Sequence, residues 1–287
     1  MKTIWLVCGP TASGKTAIAI ELAQQHSAEI LSADSRQLFA ELNIGVARPS
    51  PEELSAVPHH FIGHVSVHET YTAGRYAREA RAFMDDYFKE KDSLVICGGT
   101  GLYIQALLEG IDRMPVPEEI RSEVAALLQN EGLQAAAGKL LALDSELAEQ
   151  TDLNNPRRIQ RALEWVLSGR PETVANPLPK DWKVHKLAPE WPREELYERI
   201  NRRVDWMMEA GLWQEAELLY PLQHLNALHT VGYREIFDCM DGQISKKEAI
   251  EKIKQHTRNY AKRQLTWFRK DKDIFWLDKG NLKDIPF

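Results

Sequence analysis

The octapeptide GPTASGKT, Gly9 to Thr16, constrains the fold of this chain more than any other stretch. Four residues separate Gly9 from Gly14, Lys15 and Thr16, the apolar run TIWLVC precedes the octapeptide, and AIAIELAQQH follows it. This spacing between a strand and an amphipathic helix is the pattern of a phosphate-binding P-loop. Glycines let successive backbone N–H groups point into one concavity at the positive end of the helix dipole. The stretch therefore predicts a site for a diphosphate or a triphosphate.

Two side chains of the loop add charge and a metal ligand. Lys15 supplies a cation that can reach the terminal phosphate. The hydroxyl of Thr16 is placed to ligate a magnesium ion that bridges phosphate oxygens. Magnesium is therefore the predicted cofactor, with Thr16 as its ligand. The opposing interpretation, a chance glycine-lysine turn, does not explain the flanking strand and helix.

Short apolar runs that end at Gly or Asp alternate with helical stretches in the first third of the chain. The runs are TIWLVCG (3–9), AEILSAD (28–34) and SLVICGG (93–99). This alternation predicts an α/β fold with a parallel sheet and crossover helices. Because active groups collect at the carboxyl ends of such strands, the loop, Asp34 and Thr100 are expected to share a crevice.

The rest of the chain differs in composition and in its predicted secondary structure. From Met114 onwards, proline-flanked, Ala/Leu-rich helices predict an insertion, and KVHKLAPE (183–190) is expected to return to the sheet. Two long helices follow, the second of which starts with the capping box of Ser245 and Glu248. The predicted division is a first core part over 1–112, a helical insertion domain over 113–180, and a third part over 181–287 that completes the core and ends in basic helices.

Composition narrows the class of protein. The 287 residues are 44% hydrophobic and carry a net charge of −6, and no apolar run approaches the ~20 residues of a membrane span. The first residues predict a strand, so we expect no signal peptide, and the three cysteines lack CxxC spacing. We expect a cytoplasmic protein with no membrane partner, and nothing in the sequence requires more than a monomer.

The residues at the ends of the predicted strands could have more than one role. Asp34 could ligate magnesium, act as a general base, or only cap the next turn. Thr100 stands where hydrolytic P-loop ATPases place an acidic residue, which suits a site that binds phosphate without activating water. It could equally belong to tight turn packing. No guanine-reading motif is present, which argues against a regulatory GTPase.

Basic residues cluster in three segments despite the negative net charge. From Lys252 to Lys270 the chain has seven basic residues and no acidic one, with aromatic residues interleaved. RRIQR contributes Arg157, Arg158 and Arg161, and ERINRR contributes Arg199, Arg202 and Arg203. Any single cluster is as well explained by a solvated helix face, but the three together favour a polyanion such as RNA or DNA.

Ordered motifs along nearly the whole chain resemble the tRNA dimethylallyltransferases, also called isopentenyl transferases. They are GPTASGKT, DSRQ, NIGVARPSPEELSAVPHHFI, GGTGLYIQALLEG, NPRRIQRALE, PREELYERINRRVD, NALHTVGYREIF and AKRQLTWFRKD. The resemblance implies a P-loop, nucleotide-kinase-like core with a helical insertion. It also implies transfer of a dimethylallyl group from dimethylallyl diphosphate to the exocyclic amine of the adenine 3′ of the anticodon. The diphosphate would leave intact, and the target base would be extruded into the protein.

The resemblance also implies roles for individual residues. The diphosphate would be bound by Gly9, Pro10, Thr11, Ala12, Ser13, Gly14, Lys15 and Thr16. The groups implied in catalysis are Lys15, Thr16, Asp34 as the general base, Thr100, Arg121 and Arg234. The tRNA would contact Asp34, Ser35, Arg36, Gln37, Thr100, Arg121, Arg157, Arg158, Ile159, Gln160, Arg161, Lys262 and Arg263.

The chain departs from the family pattern at a few positions. Val46 stands where a threonine is expected and Arg48 where a lysine is expected, so a hydroxyl contact from position 46 is lost. The stretch AEQTDLNNP lacks a basic segment that many relatives carry, which affects insertion contacts near Gln150 and Thr151. Two other classes fit part of the sequence: an ATP-dependent kinase of a small molecule or nucleotide, and an RNA-binding protein without enzymatic activity.

Overall fold

The apolar runs of the sequence form the centre of a six-stranded sheet. The computed structural model describes residues 1–110, 116–171 and 176–285. The strands are β1 (Thr3–Cys8), β2 (Ile30–Ser32), β3 (His59–His60), β4 (Ser93–Gly98), β5 (Lys183–Glu190) and β6 (Ile274–Asp278). Their order is β3-β2-β4-β1-β5-β6, and each adjacent pair is parallel. The predicted α/β class is confirmed, and segment 183–190 joins the sheet as expected.

The central strand β1 is buried on both faces of the sheet. Ile4 and Leu6 pack into the core on one face, and Trp5 and Val7 pack into the core on the other. A parallel strand covered by helices on both sides needs apolar residues at successive positions rather than at alternate ones. This explains why TIWLVC reads as a continuous apolar run.

Helices fill the connections between the strands and most of the chain after β4. In chain order they are α1 (Lys15–Gln25), α2 (Pro51–Ala56), α3 (Ala73–Tyr87), α4 (Gly101–Glu109), α5 (Glu118–Asn130), α6 (Gly132–Leu143), α7 (Ser145–Gln150), α8 (Pro156–Leu167), α9 (Arg193–Glu209), α10 (Leu212–Leu219), α11 (Tyr233–Met240) and α12 (Lys246–Phe268). Within the described ranges, none has both the length and the hydropathy that crossing a membrane requires. The capping box of α12 forms as the sequence predicts, with Glu248 N donating to Ser245 Oγ at 3.3 Å and Ser245 N donating to Glu248 Oε2 at 2.8 Å.

The chain forms two compact units. The first comprises Met1–Gly110 and Pro177–Phe287 and contains the whole sheet; the second is Ile111–Asn176. In the second unit, helices α5 to α8 bury Val124, Leu140 and Leu163 in a core of their own. The predicted start of the insertion at 113, and part of the proline-rich segment that follows Gly169, lie outside the described residues.

The sequence analysis did not predict two of the strands. β3 consists of two half-buried histidines, which are too few to show a strand periodicity. β6 comes only five residues after the long basic helix α12 and pairs with β5, with Ile274 opposite Lys186. Both strands are defined by their sheet partners rather than by their local pattern.

Candidate active site

The loop Gly9–Thr16 connects β1 to α1, as the sequence predicts. Gly14, the residue that precedes α1, has a φ of 91°, a left-handed conformation that glycine adopts without strain. The first turn of α1 therefore begins directly at the loop. Its N–H groups and the helix dipole favour an anion at this point.

The loop contains polar groups that a phosphate would satisfy. Lys15 Nζ donates to Pro10 O at 2.6 Å. Burial lowers the pKa of Lys15, while the charge of Asp34 acts in the opposite direction. The hydroxyl of Ser13 is buried and has no hydrogen-bond partner among the described residues. A desolvated ammonium group and an unpaired buried hydroxyl in the same loop are groups that an anionic ligand stabilises.

Two side chains, one from α9 and one from the segment before it, donate hydrogen bonds to the backbone of the Gly9–Thr16 loop. Trp191 Nε1 donates to Ser13 O at 2.9 Å, and Arg199 Nε donates to Ala12 O at 2.8 Å. The guanidinium of Arg199 also lies over the Trp191 ring, 4.1 Å from its centroid. Both hydrogen bonds use carbonyl oxygens of the loop, so they fix its conformation without occupying its N–H groups.

Arg203 lies one turn further along α9 and adds a charged group to the site. The sequence analysis named this residue but did not predict that it would lie at the loop. Its Nη1 donates to Thr11 Oγ1 at 3.4 Å. Burial lowers its pKa, and the neighbouring Asp34 carboxylate partly offsets this effect. The sequence interpretation placed Arg199, Arg202 and Arg203 together on a nucleic-acid track, but of these only Arg202 is exposed. The i, i+4 spacing of the other two, which puts them on one helix face, was the available signal.

Asp34 both caps a turn and points into the site. Its Oδ1 accepts from Arg36 N at 2.9 Å and from Gln37 N at 3.3 Å, which is the capping interaction. Its Oδ2 has no hydrogen-bond partner within the described part of the chain. The carboxylate lines a cavity together with Arg203. One oxygen is therefore structural, and the other can accept a proton.

The tip of β4 is tied to the turn that Asp34 begins. Thr100 Oγ1 accepts from Ser35 N at 2.9 Å and donates to Ser35 Oγ at 3.2 Å. Thr100 N donates to Ala33 O at 3.3 Å. Because β1, β4 and β2 are neighbours in a parallel sheet, the loop, Asp34 and Thr100 all lie at its carboxyl edge. Thr100 thus connects two strand tips through its hydroxyl.

Arg36 and Gln37 make contacts within the protein. Arg36 Nη1 donates to Asn226 O at 3.1 Å and to Ala227 O at 3.0 Å. Gln37 Nε2 donates to Ala47 O at 2.9 Å. Their side chains hold neighbouring loops in place, which is a structural role beside the tRNA contact implied for them.

A cavity of about 580 Å³ opens beside the loop. Thr11, Asp34 and Arg203 form its polar wall, and Arg234 and Arg263 also line it. The apolar part of its lining consists of Val46, Ile200, Val204, Met207, Leu212, Val231 and Ile253. A substrate with an anionic end and a short hydrocarbon part would find complementary groups on both walls.

Helix α12 carries an exposed basic surface next to this cavity. Lys262 and Arg263 are exposed, and the Arg263 guanidinium lies 5.7 Å from the Tyr260 ring centroid. Burial, together with the charge of Asp34, raises the pKa of Tyr260 to about 12, so the phenol stays protonated. The helix therefore combines cations with an aromatic face, as nucleic-acid-binding surfaces often do.

The remaining predicted positions lie in the second unit. Arg121 is half-exposed and faces Glu118 at 3.9 Å. Arg157 and Arg158 are exposed at the start of α8, while Arg161 is paired with Glu164 at 3.6 Å. Gln160 Nε2 also donates to Glu164, at 2.8 Å. The side chain of Ile159 is completely buried in the core of this unit, so it is not part of the basic surface.

The IPP transferase family model matches residues 37–271 of the chain. A tRNA dimethylallyltransferase of Cytophaga hutchinsonii is 43% identical over 99% of this chain and 95% of its own length. One from Phocaeicola vulgatus is 41% identical over 99% of this chain and 96% of its own length.

Solved structures agree with these relatives. The tRNA isopentenylpyrophosphate transferase of Bacillus halodurans superposes with a TM-score of 0.73 at 33% identity, over 97% of this chain and 90% of that one. A eukaryotic dimethylallyltransferase acting on tRNA superposes with a TM-score of 0.80 at 25% identity, over 99% of this chain and 75% of that one. The chain therefore belongs to the IPP transferase family.

Proposed function

We propose that this protein transfers a dimethylallyl group from dimethylallyl diphosphate to the N6 amine of the adenine immediately 3′ of the anticodon in tRNA, releasing diphosphate. The observation that carries the proposal is the cavity at the carboxyl edge of the sheet. There Thr11 of the anion-binding loop, the half-buried Arg203 and the Asp34 carboxylate line the same cavity as a set of apolar side chains. The tRNA dimethylallyltransferases to which the chain is similar support the choice of substrates.

In this function the loop stabilises a leaving group. The bond between the allylic carbon and the diphosphate oxygen breaks, and negative charge accumulates on the diphosphate. Lys15, Arg203 and the N–H groups at the start of α1 would stabilise that charge, and the first two are already held by Pro10 O and Thr11 Oγ1. Such preorganised donors accelerate a reaction because they need no reorganisation in the transition state. No phosphoryl group moves, which fits Thr100 in place of an acidic residue at the tip of β4.

Asp34 is suited to accept the proton that the adenine amine loses. The amine is a weak nucleophile, and its attack on the electron-poor allylic carbon must be accompanied by deprotonation. Oδ1 is committed to the backbone of the following turn, so the side chain is held in one orientation. Oδ2 is the atom that would take the proton. The same turn is anchored to Thr100 through Ser35.

The oxygen groups of the loop fit a magnesium ion. Magnesium prefers hard oxygen ligands and usually binds through one or two protein groups together with substrate phosphates. Thr16 would hold it, and the unpaired Ser13 hydroxyl supplies a further oxygen in the same loop. The described residues contain no cluster of three His, Cys, Asp or Glu side chains that would form an all-protein metal site. When bound, the ion would add positive charge at the phosphate oxygens.

The RNA-facing groups of the proposal are the exposed basic residues. Lys262 and Arg263 on α12 would bind backbone phosphates, as would Arg157 and Arg158 in the second unit. A stacked anticodon base cannot reach a carboxylate inside a cavity, so the target adenine must be extruded from the loop. Every group used comes from one chain, and the proposal takes the protein as a cytoplasmic monomer.

The experiment that tests the proposal is a transfer assay. The protein is incubated with magnesium, radiolabelled dimethylallyl diphosphate and tRNA that carries adenine at the third anticodon position and at the position after it. Label in the RNA and one equivalent of pyrophosphate support the transferase. Formation of ADP from added ATP without label in the RNA would instead identify a kinase. Tight tRNA binding with neither product would leave an RNA-binding protein.

A further inference from the structure

Gln264 is a buried polar side chain whose amide is bonded at both ends. It lies on α12 and is 6% exposed. Its Oε1 accepts from Thr11 N at 2.8 Å, and its Nε2 donates to Gly99 O at 2.8 Å. The opposite amide orientation would set donor against donor and acceptor against acceptor, so the backbone partners define the orientation. The side chain therefore joins the Gly9–Thr16 loop to the turn after β4.

Helix α12 packs so closely against this turn that there is no space for a side chain at Gly99 or Gly101. A Cβ at Gly99 would lie 2.3 Å from Nε2 of Gln264, and one at Gly101 would lie 2.2 Å from Nε1 of Trp267. Contacts this short do not occur in folded proteins without a shift of one group. The two side chains, one helical turn apart, thus dock α12 onto the glycines that flank Thr100. The loop follows β1 and the turn follows β4, which is the neighbouring strand.

We infer that Gln264 is a positioning residue for the diphosphate, a role that rests on the function proposed above for the loop. By fixing the separation of Thr11 and Gly99, it sets the direction in which the loop presents its N–H groups and Lys15. It needs no contact with the substrate. Without its amide, Gly99 C=O would be buried without a partner, and the half-buried Thr11 N–H would lose its acceptor. The loop would then adopt other conformations, and its affinity for a diphosphate would fall.

The test is isothermal titration calorimetry of the full-length protein with inorganic pyrophosphate and magnesium. The variants are Gln264→Met, which has a similar length but neither donates nor accepts strongly, and Gln264→Asn, which is too short to reach both partners. We expect the Kd for pyrophosphate to rise about tenfold in each, the effect of losing one ordinary hydrogen bond. The Kd for an anticodon stem-loop should change by less than about twofold, because the exposed basic residues remain. In the transfer assay, KM for dimethylallyl diphosphate should rise and kcat should fall, with KM for tRNA unchanged.

Gln255→Met is the matched control, because Gln255 is exposed on the same helix and receives the same substitution. It should bind pyrophosphate as the wild type does. An unchanged pyrophosphate Kd in either folded Gln264 variant, even with a lower melting temperature, would overturn the inference, as would an equal loss of affinity for pyrophosphate and stem-loop. Pyrophosphate binding is measured without transfer. A wild-type protein that binds pyrophosphate but transfers no dimethylallyl group would therefore refute the proposed function and leave the positioning role standing.

Discussion

Replacing Gly45 by alanine should destabilise the loop that forms one wall of the cavity. A Cβ on Gly45 would lie 2.5 Å from Cζ and 2.6 Å from Oη of Tyr233. Tyr233 is completely buried, and its hydroxyl donates to Glu215 Oε1 at 2.5 Å. Glu215 also accepts from Ile44 N at 2.8 Å and from Gly45 N at 3.0 Å. The Tyr233 ring therefore cannot move aside without breaking the hydrogen bonds that hold the loop.

The expected cost follows from these contacts. Overpacking a buried site costs about 1–3 kcal/mol. Weakening hydrogen bonds to a charged acceptor such as Glu215 costs about 1.5–3 kcal/mol more. The backbone of Gly45 is not in the left-handed region, so no conformational strain is added. Together these costs amount to about 2.5–6 kcal/mol, which in a chain of this size corresponds to a fall of roughly 5–24 °C in Tm.

Differential scanning calorimetry of the full-length protein measures this change. Gly74→Ala is the matched control, because Gly74 lies in the first turn of α3 and the nearest atom to its added Cβ would be 3.8 Å away. Alanine is favoured over glycine in a helix by about 1 kcal/mol, so the Tm of this control should stay constant or rise. A Gly45→Ala variant that melts within about one degree of the wild type would refute the steric reasoning.

Four further predictions address the site and the stability of the fold. Asp34→Asn keeps an acceptor for the capped turn but removes the base, so transfer should slow by about 10²–10⁴-fold at unchanged Tm in single-turnover assays; full activity would leave Asp34 only its capping role. Arg203→Met should raise the Kd for pyrophosphate by about 10–100-fold in calorimetry, the effect of losing a hydrogen bond to a charged group, and wild-type affinity would place Arg203 outside the diphosphate site. Lys262→Ala should weaken binding of all tRNAs and reduce the slope of log Kd against log salt by about one; an unaltered slope would place this side chain away from the RNA. His64 is exposed but partly desolvated by its neighbours, which lowers its pKa below the ordinary value of 6.5, so the stability that depends on neutral His64 is present above pH 6.5 and is lost as the pH falls through the folded-state pKa. The Tm should therefore decline below pH 6.5, and the Tm of His64→Asn should decline less steeply with pH than that of the wild type. Equal slopes of Tm against pH would contradict this assignment.

The parts of the fold that could be predicted are those that local chemistry determines. The loop between β1 and α1 needs glycine where φ is positive and a buried strand before it, and both requirements are visible in the residues themselves. The start of α12 is likewise set by the reciprocal hydrogen bonds of Ser245 and Glu248. A strand as short as β3 carries no such signal, because its partner in the sheet comes from elsewhere in the chain.

The candidate site was only partly predictable for the same reason. Lys15 and Asp34 lie next to the elements that expose them, so their position follows from the strand ends. Arg203 and Gln264 reach the loop from helices about 190 and 250 residues further along the chain, and a list of basic or polar residues does not show which face of a helix docks. Ile159 shows the opposite error, since a residue inside a basic motif packs in a hydrophobic core. Tertiary packing, rather than residue type, decides these positions.

The central claim is that the glycine-lysine loop holds a diphosphate that leaves while a nucleobase nitrogen takes the prenyl group. Mass spectrometry of nucleosides from total tRNA tests it most directly, in cells that lack this protein and in the same cells with the wild-type or Asp34→Asn gene restored. The prenylated adenosine should be absent without the protein, return with the wild type, and remain scarce with Asp34→Asn. Normal levels of that nucleoside in the cells without the protein would contradict the claim.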